Sequence, residues 1–289
     1  MSPTRKLLVN VTEAYGDSPR ERLETVREAG FDGFFTMWGP DVPEYRREAD
    51  RLGLTYGSVH APFGKIVKMW GRGEETDEVL SELLDCIDGT ADAGVPATVC
   101  HVYIGFDFDA ADAALREHKG DALRNFAKVA ERSEKRGITV AFENTEGEEH
   151  MRAVMDSLKD CPSVGFCWDV GHEICYNGAK DQTALYGDRL AVTHLNDNFG
   201  ATEEDGVITW RDDLHLLPFD GKVDWESVAR RLIKCGFGGP LTFELKKADT
   251  SGRAGGRYDR LTPFEYLTEA HKRAVRVRAL LNERKAFNS

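Results

Sequence analysis

Positive charge is scarce in this chain. Against 50 Asp and Glu stand 38 Lys and Arg, a formal net charge of −12 over 289 residues. That balance opposes a phosphate backbone and argues against a nucleic-acid partner. No apolar run is long enough to cross a bilayer, so no membrane partner is expected. The opening residues, MSPTRKLLVNV, pass directly into a strand-like pattern without the apolar region of a secretory signal. Cysteine is sparse: Cys86, Cys100, Cys161, Cys167, Cys175 and Cys235 include no CxxC pair, and Cys100 and Cys167 fall inside strand-like runs. Free, buried thiols in a reducing, cytoplasmic setting are the expectation. There is no Pro/Gly/Ser-rich linker and no low-complexity tract, so residues 1–289 read as a single domain. The segment after the first strand, NVTEAYGDSP, lacks the Gly-rich loop of a doubly wound nucleotide-binding sheet.

What the chain does contain is a repeated alternation of short apolar runs and amphipathic helical stretches. Strands are predicted near residues 6–11, 33–38, 55–60, 97–103, 139–144, 164–169, 190–195 and 240–245. Helical periodicity follows each, the longest from Ala111 to Arg136, with a short one near Asp181–Tyr186. Gly30, Gly53, Gly94, Gly137 and Gly236 stand where helices should end before the next strand, the usual place of a C-terminal cap. Eight such units in this length predict a single α/β domain, a (β/α)8 TIM barrel. Two connections are unusually long, the one after strand three (HAPFGKIVKMWGRGEET) and the one from Asn196 to Trp225. Both are expected over the barrel mouth, where lids and specificity loops belong.

Six of the predicted strands end on a side chain able to bind a metal: His60, His101, Glu143, Asp169, His194 and Glu244. A lone glutamate at a strand end is ordinarily a solvated rim residue, and a lone histidine on an apolar strand ordinarily a satisfied core residue. Six in register at one end of successive strands are not explained by packing. They are what an active site at one mouth of a parallel barrel requires. Glu143, Asp169, His194 and Glu244 form a mostly oxygen donor set suited to one divalent ion, with Mn²⁺ preferred and Mg²⁺, Co²⁺ or Zn²⁺ also accommodated. Without a counter-ion three carboxylates buried together would repel or protonate. His172, three residues past Asp169, should enter the same mouth from the next loop. His60, His101, His172 and His215 are read as substrate contacts, with Asp213 and further metal sites as the other use of this group. Trp38, Phe63, Trp70 and Trp168 are candidate walls for a sugar ring, although strand alternation aims Trp168 outward into the helix layer. Lys246, two residues past Glu244, is a candidate substrate contact, and Lys65, Lys68 and Arg211 are the other cations available for a phosphate or carboxylate.

The segments VHAPFG, CHVY, FEN, WDVGH, THLND, HLLPFDGKVDW and FEL, in that order between about residues 55 and 246, resemble the xylose isomerase-like TIM barrels. That superfamily includes sugar phosphate isomerases and epimerases, inosose isomerases and dehydratases, and, more distantly, endonuclease IV. The resemblance implies a catalytic divalent ion on Glu143, Asp169, His194 and Glu244, and a small sugar or polyol-derived substrate. It implies that Glu143 and Glu244 double as acid/base catalysts, passing a proton through an enediolate in an isomerase or epimerase. A lyase or dehydratase acting on an inosose or an oxidised glycoside is the alternative on the same scaffold. Gly200 stands where ketose 3-epimerases carry an arginine, a departure from that branch. His60, His101, His172, Asp213 and His215 match the positions that hold extra zinc ions in endonuclease IV, but the acidic balance is wrong for gripping phosphates. Barrels of this size often dimerise, so a homo-oligomer is compatible with the pattern.

Overall fold

A computed structural model describes residues 5–201 and 207–287. Eight parallel strands form one sheet: β1 Leu7–Asn10, β2 Gly33–Met37, β3 Thr55–His60, β4 Ala97–His101, β5 Thr139–Glu143, β6 Val164–Asp169, β7 Leu190–His194 and β8 Leu241–Phe243. Their order is β7-β6-β5-β4-β3-β2-β1-β8, so each strand lies beside its sequence neighbours and β1 pairs with β8. The remaining seam, between β7 and β8, is closed by a single parallel bridge from Leu195 to Phe243. There the main-chain N–H of Thr242 donates to the Thr193 hydroxyl at 3.1 Å rather than to a carbonyl. The result is the nearly closed (β/α)8 barrel predicted from the alternation.

Among the described residues eight helices connect or follow these strands on the outside: α1 Pro19–Glu28, α2 Val42–Leu52, α3 Glu74–Asp92, α4 Phe108–Arg136, α5 Glu148–Ser157, the single-turn α7 Thr183–Tyr186, α8 Trp225–Lys234 and α9 Pro263–Phe287. One more, α6 Val170–Cys175, starts directly at the end of β6. The five expected capping glycines all adopt positive φ; at Gly53, for example, φ is +67°, the left-handed value that stops a helix. Among the described residues no helix is long and apolar enough to cross a membrane. All six cysteines are free.

Strand parity decides what faces inward. Val140, Phe142, Phe166 and Trp168 point out and join the large apolar layer beneath the helices. The alternate residues Val99, Ala141, Cys167 and Val192 form a separate small cluster inside the barrel. Small side chains there suit the narrow interior of an eight-stranded barrel. Continuing the same parity by two residues brings His101, Glu143, Asp169 and His194 to the C-terminal mouth. Apolar alternation thus aims the polar residues at one another.

Candidate functional site

A cavity of about 710 Å³ opens at this mouth, with His60, His101 and Glu244 in its lining and Glu143, Asp169 and His194 fully buried. Ligand-type atoms of Glu143, Asp169, His194 and Glu244 all lie within 4.8 Å of one another. His194 Nδ1 is 2.8 Å from Glu143 Oε1 and 3.1 Å from Glu244 Oε2. Glu143 is fully buried, and its other oxygen, Oε2, lies 3.2 Å from both His60 Nε2 and His101 Nε2. Burial opposes ionisation of Glu143, but His194, His101 and His60 outweigh it and hold the carboxyl well below its usual range. Burial likewise opposes the charge on Glu244, and His194 and His215 bring that carboxyl down to about 2. Asp169 goes the other way: burial raises it to about 6, only partly offset by His172 and His215. For His194 itself, burial disfavours the cation but Cys167 and the carboxylates of Glu143 and Glu244 prevail and lift it well above its ordinary value.

The donor set fits a divalent cation. Three carboxylates crowd one imidazole with no lysine or arginine among them, and His194 Nε2 is buried with no hydrogen-bond partner among the described residues. The carboxylates are also oriented from outside. Asn196 Nδ2 donates to Asp169 Oδ2 at 2.9 Å, and His172 N donates to Asp169 Oδ1 at 2.7 Å. Partners of this kind fix ligand orientation. Cys167 lies beside Glu143 and His194, but burial pushes its thiol far up and keeps it protonated.

Asp169 is also the N-cap of α6. His172 therefore sits on the first turn of a helix, where the sequence reading had placed a loop. The residues WDVGH carry the signal for this, an aspartate three positions before the capped N–H. His172 Nδ1 donates to Asn144 O at 2.9 Å, leaving Nε2 facing Asp213 Oδ1 at 3.5 Å. His215 Nε2 is 2.8 Å from Asp213 Oδ2, and Lys246 Nζ donates to the same oxygen at 2.9 Å. Two further triads arise in this way, His60–His101–Glu143 and His172–Asp213–His215, each with ligand atoms within 4.8 Å. Both border the four-residue cluster, and with the Glu143–Cys167–His194 group counted, Glu143 belongs to three of the four groups.

Of the predicted substrate contacts, His60, His101, His172, His215 and Lys246 line the cavity, as do Glu244 and Asp213. Trp38 is not among the lining residues. Its indole lies over Gly89 of α3, where a β-carbon would collide with it, and its neighbour Met37 faces the cavity instead. Trp70 is core, donating from Nε1 to Val102 O at 2.8 Å. Trp168 points outward as alternation required, with the Arg231 guanidinium 4.3 Å above its ring. Phe63 does line the mouth. The sequence reading missed Val67, Phe106, Tyr176 and Trp210. All four lie beyond the strand ends, where no periodicity marks them. Both long connections reach the mouth, through Phe63 and Val67 in one and Trp210 to His215 in the other. Residues 202–206 of the second lie outside the described residues. Gly200 has φ +77°, a conformation in which an arginine would be strained.

These features define a parallel barrel with a carboxylate–histidine centre at its C-terminal face. The sequence profile of the xylose isomerase-like TIM barrel family matches residues 23–265, and the chain belongs to that family. An uncharacterized protein, y4fM of Sinorhizobium fredii (strain NBRC 101917 / NGR234), is 29% identical over 309 aligned residues, covering 92% of this chain and 91% of that one. The fold is shared with an L-ribulose 3-epimerase (TM-score 0.71, 14% identity, 99% of this chain and 98% of that one). It is shared equally with the IOLI protein, solved with a bound zinc atom (TM-score 0.71, 19% identity, 95% and 98%). The chain also spans 42% of a fusion of a xylose isomerase-like TIM barrel with a 4-hydroxyphenylpyruvate dioxygenase (TM-score 0.70, 17% identity, 94% of this chain).

Proposed function

We propose that the protein is a divalent-metal-dependent isomerase or epimerase acting on a sugar or polyol-derived hydroxy-carbonyl compound. The observation that carries this reading is the convergence of Glu143, Asp169, His194 and Glu244, with Glu244 lining the cavity and the other three fully buried beside it. These four residues would hold one ion, Mn²⁺ by preference for a mostly oxygen set, with Zn²⁺, Co²⁺ and Mg²⁺ also suited. When bound, the ion supplies Lewis-acid stabilisation of negative charge on a substrate oxygen. The named solved neighbours, an L-ribulose 3-epimerase and a zinc-bound IOLI protein, support this class of chemistry.

The two glutamates divide the proton work. Glu244 lines the cavity and has its side chain 18% exposed, whereas Glu143 is fully buried and within 3.2 Å of the His60, His101 and His194 imidazoles. Glu244 is therefore placed to take the proton next to the carbonyl. Transfer to the adjacent carbon returns the proton that Glu244 has taken; delivery to the opposite face needs Glu143, ionised at rest among its imidazoles, to be protonated from solvent first, and His194, between them, orients both carboxylates. Delivery to the opposite face of the same carbon is epimerisation; delivery to the adjacent carbon is aldose–ketose isomerisation. His60, His101, His172 and His215 meet substrate hydroxyls. The two neighbouring triads are compact enough to take further ions, and elemental analysis of purified protein decides between one ion per chain and more.

The test is proton exchange. Metal-loaded protein incubated with a panel of ketoses and inososes in deuterated water should place deuterium on carbon. No exchange and no product across the panel removes the proton-transfer reading, and an eliminated product in place of an isomer assigns the lyase chemistry instead.

A further inference from the structure

The walls of the cavity differ in chemistry from its floor. Eight large apolar side chains are exposed among the described residues, and four of them, Met37, Phe63, Val67 and Trp210, line this one cavity. They come from the end of β2, the connection after β3 and the connection after β7. Isolated exposed apolar residues need no explanation, but a cluster around a concave site marks a binding surface. Trp210 is 58% exposed, yet it is not on a loose segment. It opens a short 3-10 turn, Trp210–Asp212, closed by a capping box between Thr209 and Asp212. Thr209 N donates to Asp212 Oδ2 at 2.8 Å, and Asp212 is itself fully buried and bonded to Arg253. An indole held out into a cavity on a pinned turn is poised to cover a flat apolar group.

Charge points the same way. Of the four cations the sequence offered for an anionic substituent, Lys246 alone lines the cavity, and it is paired with Asp213. Lys68 is engaged by Glu75 at 2.8 Å, and Arg211 donates to Ser251 O at 3.0 and 2.9 Å. Among the described residues, a phosphate or carboxylate on the substrate would find no uncommitted lysine or arginine in the wall. The volume of about 710 Å³ lies well within the range that encloses drug-sized molecules and leaves room above the floor after a single sugar ring is seated there.

We propose that the substrate is a hydroxylated ring carrying an uncharged apolar, flat substituent, with the ring on the polar floor and the substituent against Met37, Phe63, Val67 and Trp210. This rests on the proposed hydroxy-carbonyl chemistry for the floor; the wall argument is independent of which reaction follows.

The experiment measures binding of matched pairs to the full-length, Mn²⁺-loaded protein by calorimetry. The probes are the phenyl and methyl β-glycosides of glucose, galactose and xylose, with glucose 6-phosphate alongside. At least one phenyl glycoside should bind tenfold or more tightly than its methyl partner, about 1.4 kcal/mol. Trp210→Ala and, separately, Met37→Ala should each reduce that ratio to threefold or less; both side chains are exposed, so neither variant should lower the melting temperature. Equal affinities within every pair, tighter binding of the phosphate, or no binding by any phenyl glycoside overturns the proposal. Deuterium exchange with a simple ketose but no phenyl preference overturns this proposal alone. Phenyl preference in a protein that exchanges no compound overturns the isomerase reading and upholds the apolar wall.

Discussion

Asp197 shows how much one buried carboxylate organises. Its Oδ1 accepts from Asn198 N at 2.9 Å and Val223 N at 3.0 Å, and its Oδ2 from Phe219 N at 2.8 Å and Trp225 Nε1 at 2.9 Å. It thereby ties the strand end bearing His194 to the GKVDW segment that opens α8. Asp197→Ala leaves four donors without a partner, two of them buried and two half-buried, and should cost about 3 kcal/mol in urea unfolding. Gly221, packed on the same carboxylate, has no room for a β-carbon. Glu244→Gln should lower turnover by about 10² or more while sugar binding is partly retained and elemental analysis monitors the ion; full activity in that variant would remove Glu244 from the proton relay. At this scale the strand-end residues were legible because period-two alternation fixes their direction. Trp38 was misread because its aromatic character was weighed above parity: Phe35 packs inside against His194, with ring centroids 4.7 Å apart, so Met37 faces in and Trp38 out.

The elements themselves follow local chemistry closely. β3 and β6 have the predicted bounds, and the other strands lose one to three residues at their ends, where pairing stops before apolar character does. The turn of α6 was not foreseen, since the six residues Val170–Cys175 carry too little periodicity to register as a helix. Its aspartate cap was the available cue. The capping glycines were legible because only one conformation ends a helix in that way at low cost. At Gly53 a β-carbon would touch nothing within 4 Å, so Gly53→Ala isolates the backbone cost of φ +67°. It should destabilise by about 1 kcal/mol, read as a lowered denaturation midpoint with unchanged slope.

For the molecule as a whole, the barrel could be inferred from eight repeats and the absence of a nucleotide-binding loop, whereas the walls of the cavity could not, because long-loop residues meet only after the barrel has closed. The floor carries anions that a cation would neutralise, so binding should stabilise the native state. At an ion concentration 100-fold above its dissociation constant the gain is about 2.7 kcal/mol, or roughly 5 °C or more in melting temperature for a chain of this size. A chelator should reverse it. A melting temperature indifferent to Mn²⁺, Zn²⁺ and chelator would remove the metal centre.

The seam between β7 and β8 gives that prediction a location. His194 ends one of its strands and Glu244 follows the other, so an ion gripping both rivets the one joint that the main chain leaves nearly unstitched. Amide hydrogens of residues 190–195 and 241–245 should then exchange with solvent faster than those of β4 and β5 in metal-stripped protein, and slow to match them once the ion is restored.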